Sequence, residues 1–246
     1  MRYKIVCFVV ITFALALGRG FNVEAKETTY VISSMNRGSY EEKIEYNGKG
    51  LMSSLESDKY KYYSSGIIKT INNEYRYKLK DGKIAKRTDT INNTITTYTY
   101  YWDGNVCTKM EYKTKKDDIL ILKGYTKFTY DDQDRIKSKI HYYRSLEYAD
   151  EIKTKTQYWY DSFGSIKRVR DKFYDFSKDV YNITSDTKIK NKYNNGKLVK
   201  ASYEDGRIYK YKYKKISVNK DELAMIEQQQ HVILNYFRFG KGPYLF

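Results

Sequence analysis

Proline, cysteine and histidine are nearly missing from this chain. Pro243 is the single proline, Cys7 and Cys107 are the two cysteines, and His141 and His231 are the two histidines. So few thiols and imidazoles exclude a zinc site built from the usual ligands. Cys7 falls inside an N-terminal apolar run, so removal of that run leaves Cys107 alone, which excludes an intramolecular disulfide and makes packing the source of stability. With no Gly/Ser-rich or Pro-rich stretch there is no candidate linker, and the chain reads as one continuous domain. A phosphate-cradling glycine loop, H-E-x-x-H and G-x-S-x-G are missing too. The expectation is a protein that is not an enzyme, with no catalytic residue, metal or cofactor.

What is present begins with an export signal. Arg2 and Lys4 precede an apolar run from Ile5 to Leu17, and Val23-Glu24-Ala25 supplies a cleavage site before Lys26. The run is shorter than the roughly 20 residues a membrane-crossing helix needs. Cys7 lies too early in it for lipoprotein processing, and neither a later membrane-length segment nor a sorting motif follows. A secreted domain of this size without disulfides suits a bacterial exporter, so the expected location is extracellular, with any cell-wall association noncovalent.

Lysine and arginine number 46 against 30 acidic residues; without Arg2, Lys4, Arg19 and Glu24 the balance is 43 against 29, a charge of +14. Outside a cell such a charge attracts anionic polymers and surfaces, and it binds nucleic acid without specificity. A mean hydropathy of −0.77 would suit a disordered chain. Aromatic residues at 17%, including 29 tyrosines, point instead to a folded one.

The aromatics alternate with polar residues in Tyr60-Lys61-Tyr62, Tyr75-Arg76-Tyr77-Lys78-Leu79, Tyr98-Thr99-Tyr100, Phe128-Thr129-Tyr130, Tyr158-Trp159-Tyr160 and Tyr209-Lys210-Tyr211-Lys212-Tyr213. That period predicts strands with an aromatic face and a Lys/Arg/Thr face. A turn residue with an aliphatic two positions later recurs: Gly66 with Ile68, Gly82 with Ile84, Gly104 with Val106, Asp134 with Ile136, Gly164 with Ile166, Gly196 with Leu198, Gly206 with Ile208. Asp-Gly and Asn-Gly among them suit tight hairpins. The fold class that follows is mainly β, an antiparallel meander of repeated hairpins forming a single sheet or open barrel, with one short C-terminal helix. Asn219 with Glu222 has the form of a capping box and Val218 with Leu223 that of a hydrophobic staple, which starts the helix there with Leu223, Ile226, Gln230 and Ile233 on one side. The organisation is a signal at 1–25, an N-terminal segment at 26–43, hairpin repeats at 44–216, and the helix with an aromatic tail at 217–246.

Tyr130-Asp131-Asp132-Gln133-Asp134-Arg135-Ile136 and Tyr160-Asp161-Ser162-Phe163-Gly164-Ser165-Ile166 resemble the RHS/YD-repeat family, whose signature is Y-D-x-x-G-x-[LI]. The likeness extends over residues 44 to 213, where other units keep the aromatic, the turn glycine and the aliphatic without the Tyr-Asp pair. It implies a secreted or surface β-sheet shell without catalytic residues in the repeats, although no RHS core end or toxin domain follows. Tyr62-Tyr63-Ser64-Ser65-Gly66-Ile67-Ile68-Lys69-Thr70 is similar, more distantly, to choline-binding-type cell-wall repeats.

Three functions fit. A non-catalytic envelope protein would adhere to anionic surface polymers through strand-face cations, of which Lys61, Arg76, Lys78, Lys210 and Lys212 are the candidates. A carbohydrate-binding module would stack sugars on Tyr62, Tyr100, Trp102, Tyr130, Trp159 and Tyr160, unless that aromatic face is simply the core. An RHS-like part of a toxin or secretion system is the third. Cys107 and His141 as a nucleophilic pair are set against a packed thiol and a satisfied imidazole, and Asp131 to Asp134 as a calcium loop against an Asx-type turn.

Overall fold

The computed structural model describes residues 26–55 and 57–236; the expected export signal at 1–25 and the aromatic tail lie outside them. The chain forms strands β1 (Lys26–Arg37), β2 (Tyr40–Tyr46), β3 (Met52–Leu55), β4 (Asp58–Tyr62), β5 (Ile68–Ile71), β6 (Tyr75–Lys80), β7 (Lys83–Ile91), β8 (Thr94–Asp103), β9 (Val106–Lys116), β10 (Ile119–Tyr130), β11 (Ile136–Ser145), β12 (Glu151–Tyr160), β13 (Ile166–Asp175), β14 (Val180–Asn194), β15 (Lys197–Tyr203) and β16 (Ile208–Asn219), then helix α1 (Lys220–Tyr236). Each strand pairs antiparallel with its neighbour in sequence, and β1 pairs with β16 as well as β2.

The sheet is therefore a closed barrel and not the single sheet or open barrel expected from the repeats. Closure is made by the segment 26–43, which carries no aromatic-turn-aliphatic unit. Its first strand runs along β16 from Lys26↔Asn219 to Arg37↔Tyr209. A bulge at Ser33 breaks its alternation after Ile32, and the adjacent Val31 and Ile32 are both buried because they face different clusters, Val31 the small one beneath the helix and Ile32 the barrel core.

Strand alternation appears as predicted, with aromatic and aliphatic side chains inside and cations outside. In β16, Tyr209 and Tyr211 are buried while Lys210, Lys212 and Lys214 are exposed. All seven predicted turn residues have left-handed φ, from 51° at Gly104 to 86° at Gly206. Asp81-Gly82 and Asn195-Gly196 are left-handed at both positions, as the tight hairpin turn of matching twist requires. The aliphatics that follow are core residues at Ile68, Ile84, Ile166 and Leu198. Val106 and Ile136 are half-buried, and Ile208 is exposed, because its turn joins β15 to β16 at the barrel end opposite the helix.

The Tyr-Asp units form a four-residue turn closed by the aspartate. Asp131 Oδ1 accepts the N–H groups of Gln133 and Arg135, both at 3.0 Å, and Asp161 Oδ1 those of Phe163 and Ser165, both at 3.0 Å. Asn47 repeats the motif, accepting from Lys49 and Leu51. The Asp131 carboxylate thus serves its turn and the side chain of Arg135, at 2.7 Å. Burial pulls its pKa up, but the Arg135 side chain and the N–H groups of Arg135 and Gln133 outweigh burial and hold it below the usual carboxylate range. A depressed carboxyl contributes stability that is present above its unfolded value of 3.8 and lost as pH falls below it. Asp131→Ala is expected to cost about 1 kcal/mol near neutral pH. In denaturant titrations the difference between variant and parent should shrink on acidification through pH ~4.

At most junctions between hairpins an aromatic has a second regular task. Where two hairpins meet at the helix end of the barrel, the ladder stops early and leaves a strand carbonyl uncovered. Tyr46 Oη donates to Ile32 O, Tyr62 Oη to Met52 O, Trp102 Nε1 to Ile84 O, Tyr130 Oη to Cys107 O, Tyr160 Oη to Ile136 O and Tyr213 Oη to Leu198 O, all within 2.6–2.8 Å. In each case the acceptor lies two residues before the last paired residue of one strand and the donor three residues after its partner, as with Ile136 and Tyr160 beyond Ser138↔Gln157. Between β13 and β14 the same position is Asn191, whose Nδ2 donates to Ile166 O at 3.1 Å. The repeated aromatic is a clamp between neighbouring hairpins.

Helix α1 covers this end of the barrel. Val218 and Ile226 share a small core with Val31 and Leu51, against which Leu223 packs, in keeping with the predicted staple. Gly50, at φ +75°, sits beneath them: a Cβ there would lie 2.6 Å from Val218 and 2.7 Å from Ile226. Two adjacent glutamines tie the helix to the strands through identical hydrogen-bonded rings. Met52 N–H donates to Gln229 Oε1 at 2.8 Å, Gln229 Nε2 donates to Tyr62 Oη at 2.9 Å, and Tyr62 returns to the Met52 carbonyl. Ile32, Gln230 and Tyr46 repeat the ring at 2.7 and 3.1 Å.

Candidate functional site

The clamps decide where the predicted sugar platform stands. Tyr62, Trp102, Tyr130 and Tyr160 are half-buried and packed against the core with their polar tips spent on backbone carbonyls, and Tyr100 is wholly inside, 5% exposed. Of the six candidate aromatics, Trp159 is the one carried on the outer face. It stands beneath Arg168 and Arg170, whose guanidinium carbons lie 4.9 and 5.5 Å from its ring centre. Asp186 holds both arginines, at 2.6 and 2.7 Å, and so keeps their guanidinium groups against the indole.

Trp159 borders a 240 Å³ cavity whose other lining includes Lys137, Gln157, Arg135 and Tyr160. This is the cleft left where the β11–β12 ladder ends at Ser138↔Gln157, with Tyr160 as its floor clamp. Arg135 lies 4.5 Å above the Tyr160 ring and is neutralised by Asp131, so Lys137 is the exposed cation of the cleft. The Gln157 amide oxygen has no hydrogen-bond partner among the described residues. The corresponding positions of the other clefts, such as Thr108 with Thr129 or Ala85 with Tyr101, do not unite an aromatic with a cation.

The five candidate cations, Lys61, Arg76, Lys78, Lys210 and Lys212, are all exposed on the convex face. They are not equivalent. Lys212 is committed to Glu41 at 2.9 Å, and Arg76 Nε reaches the Asn73 carbonyl at 3.4 Å. Lys78 faces Lys86 directly across β6 and β7. Lys210 belongs to a continuous row, Lys192↔Lys200↔Lys210, across β14, β15 and β16, and none of the three forms an ion pair among the described residues. Like charges directly opposite destabilise a sheet by about 0.2–1 kcal/mol per pair, so this row is a cost the fold itself does not require. Lys192 and Lys200 lie outside the aromatic-lysine alternations and escaped the sequence reading; the signal was there in the Asn-Gly turn at 195–196, which sets the register that brings them together.

The interior carries charge as well. Arg87 and Asp89, two apart on the inner face of β7 and each 8% exposed, form an ion pair in which Arg87 Nη2 donates to Asp89 Oδ2 at 2.8 Å and Nε lies 2.7 Å from Oδ1. The guanidinium lies 3.9 Å from the Tyr98 ring centre. Burial raises the Asp89 pKa despite the pairing, whereas for Arg87 the surrounding Tyr100, Tyr77 and Asp89 outweigh burial and keep it fully charged. His141 is held between Thr126 Oγ1 at 3.1 Å on Nδ1 and Tyr112 Oη at 3.3 Å on Nε2, and burial with Lys139 lowers its pKa. Burial pushes the Cys107 thiol up to about 11, and its Sγ contacts the Lys109 carbonyl. The two side chains go to different partners, so the structure does not bring Cys107 and His141 together as a nucleophilic pair.

A membrane-spanning barrel turns apolar side chains to lipid, and the exposed side chains of this barrel include apolar ones such as Ile91, Ile95, Ile119 and Ile183. Here Lys61, Lys78, Lys86, Lys113, Lys127, Lys192 and Lys210 point outward. A lysine or arginine at the bilayer midplane costs about 2–4 kcal/mol. No helix among the described residues is long and apolar enough to cross a membrane.

No family model and no curated protein matches this chain. Among solved structures, the chain is similar in fold to a porin-like protein from Bacteroides vulgatus ATCC 8482, with a TM-score of 0.56 over 74% of this chain and 98% of that one, at 10% identity. That likeness concerns the β-barrel fold.

Proposed function

We propose that this is a non-catalytic barrel of the bacterial envelope or extracellular space that adheres to anionic surface polymers. The observation that carries the reading is the Lys192–Lys200–Lys210 row, three ammonium groups one strand spacing apart on the convex face with no ion pair among the described residues. A row of this kind meets the phosphate or carboxylate groups of an extended polymer without needing the polymer to fold around it. The export signal of residues 1–25 and the porin-like barrel support an envelope setting. The lysine-rich outer face favours a location beside the bilayer over one within it.

The test is retention on purified anionic cell wall under a salt gradient. The parent protein is expected to bind at low salt and to release as the Debye length falls from about 10 Å at 0.1 M toward 3 Å at 1 M. Lys192→Gln/Lys200→Gln/Lys210→Gln should elute at clearly lower salt, with thermal stability unchanged or slightly raised by relief of the like-charge register. Equal elution of variant and parent, or retention indifferent to salt, overturns the reading.

A further inference from the structure

We infer that the cleft between β11 and β12 is a subsite for one acidic sugar unit, a hexuronate, of the polymer that the lysine row holds. This assignment rests on the proposed polymer binding and adds a ligand class to it. At 240 Å³ the cavity falls below the roughly 300–1,000 Å³ of pockets that enclose drug-sized ligands, which suits a single ring left open to the chain on either side.

The three groups in the cleft answer the three features of a uronate. Trp159 offers a flat apolar surface to the C–H face of a pyranose, and the Arg168–Asp186–Arg170 assembly holds the indole in place, so little side-chain entropy is lost on binding. Lys137 is exposed and makes no ion pair among the described residues, which leaves it to meet the carboxylate. Gln157 supplies a carboxamide whose buried oxygen has no hydrogen-bond partner among the described residues and whose soft terminal torsion can turn it to a ring hydroxyl. The Tyr160 clamp and the Asp131–Arg135 pair fix the depth of the cleft without offering free charge. The arrangement depends on the splaying of β11 from β12, so it belongs to the barrel and not to any one hairpin.

Calorimetric titration of the full chain with a hexuronate tetramer, the uncharged hexose tetramer of the same linkage and a short polyphosphate tests the assignment. The uronate tetramer is expected to bind, with at least a tenfold loss for Trp159→Ala, recovery of most of that loss in Trp159→Tyr, and a severalfold loss for Lys137→Gln. The uncharged tetramer and the polyphosphate should bind at least tenfold more weakly than the uronate. Unchanged uronate affinity in Trp159→Ala, or equal affinity for the uncharged tetramer or the polyphosphate, overturns it. Wall retention measured on the same samples separates the two readings. A Trp159→Ala protein that keeps both its salt-sensitive retention and its full uronate affinity removes the cleft and leaves the lysine row standing.

Discussion

Asp89→Ala is expected to destabilise the barrel by about 3–5 kcal/mol, because it leaves the Arg87 guanidinium in the core without its counter-ion. For a chain of this size that corresponds to a fall in Tm on the order of 10 °C. The loss reflects the stranded charge and not the worth of the pair, so removal of both charges should behave differently. Arg87→Met/Asp89→Leu, which fills similar volume without ions, is expected to recover most of the stability, since a buried pair commonly contributes little over a well-packed apolar replacement. Guanidinium denaturation of the two variants beside the parent decides the matter. An Asp89→Ala protein within about 1 kcal/mol of the parent would mean that Arg87 finds water or another partner, contrary to its 8% exposure.

The second large effect concerns the helix. Gln229→Leu/Gln230→Leu removes the acceptors of the Met52 and Ile32 N–H groups and the donors to the Tyr62 and Tyr46 hydroxyls. Leaving a buried N–H without a partner costs about 1–3 kcal/mol, so the double variant should lose roughly 2–6 kcal/mol. The damage should be local at first: α1 detaches while the barrel beneath persists. Limited proteolysis between β16 and α1 is expected to become fast in the double variant and to stay slow in the parent. If cleavage remains slow, the apolar contacts of Val218 and Ile226 hold the helix without the glutamines.

Strands and turns were legible because their signals are local. Alternation at Tyr209 to Tyr213 and left-handed turn residues such as Gly82 and Asp134 express backbone sterics within a few residues. The start of the helix was legible for the same reason. Barrel closure was not, since it depends on a pairing between β1 and β16 that no local pattern announces, and the Ser33 bulge erases the alternation that would have marked β1 as half-buried. Gln230 falls on the same side of the helix as Leu223 and Ile226, but the partners of Gln229 and Gln230, Met52 with Tyr62 and Ile32 with Tyr46, lie far away in sequence.

The aromatic ladder was the most misleading feature. Composition alone cannot distinguish a ring that waits for a sugar from one whose hydroxyl already covers a carbonyl. What separates Trp159 from Trp102 is strand parity at the end of a ladder: Trp102 occupies the clamp position and Trp159 the position before one. Parity is written in the sequence, but its meaning requires knowing where each ladder stops.

The pairing of β1 with β16 also fixes the order in which the protein comes into being. The partner of Lys26 is Asn219, so the first strand to emerge from a ribosome or an export channel must wait for almost the last. Until then the nascent sheet has two raw edges, and such edges recruit other strands. A contact that distant in the chain forms slowly, because the loop entropy is lost before the seam rewards it. The lysines along β16 would then do a service before any ligand arrives, keeping the unfinished edges of neighbouring copies apart while the ring is still open.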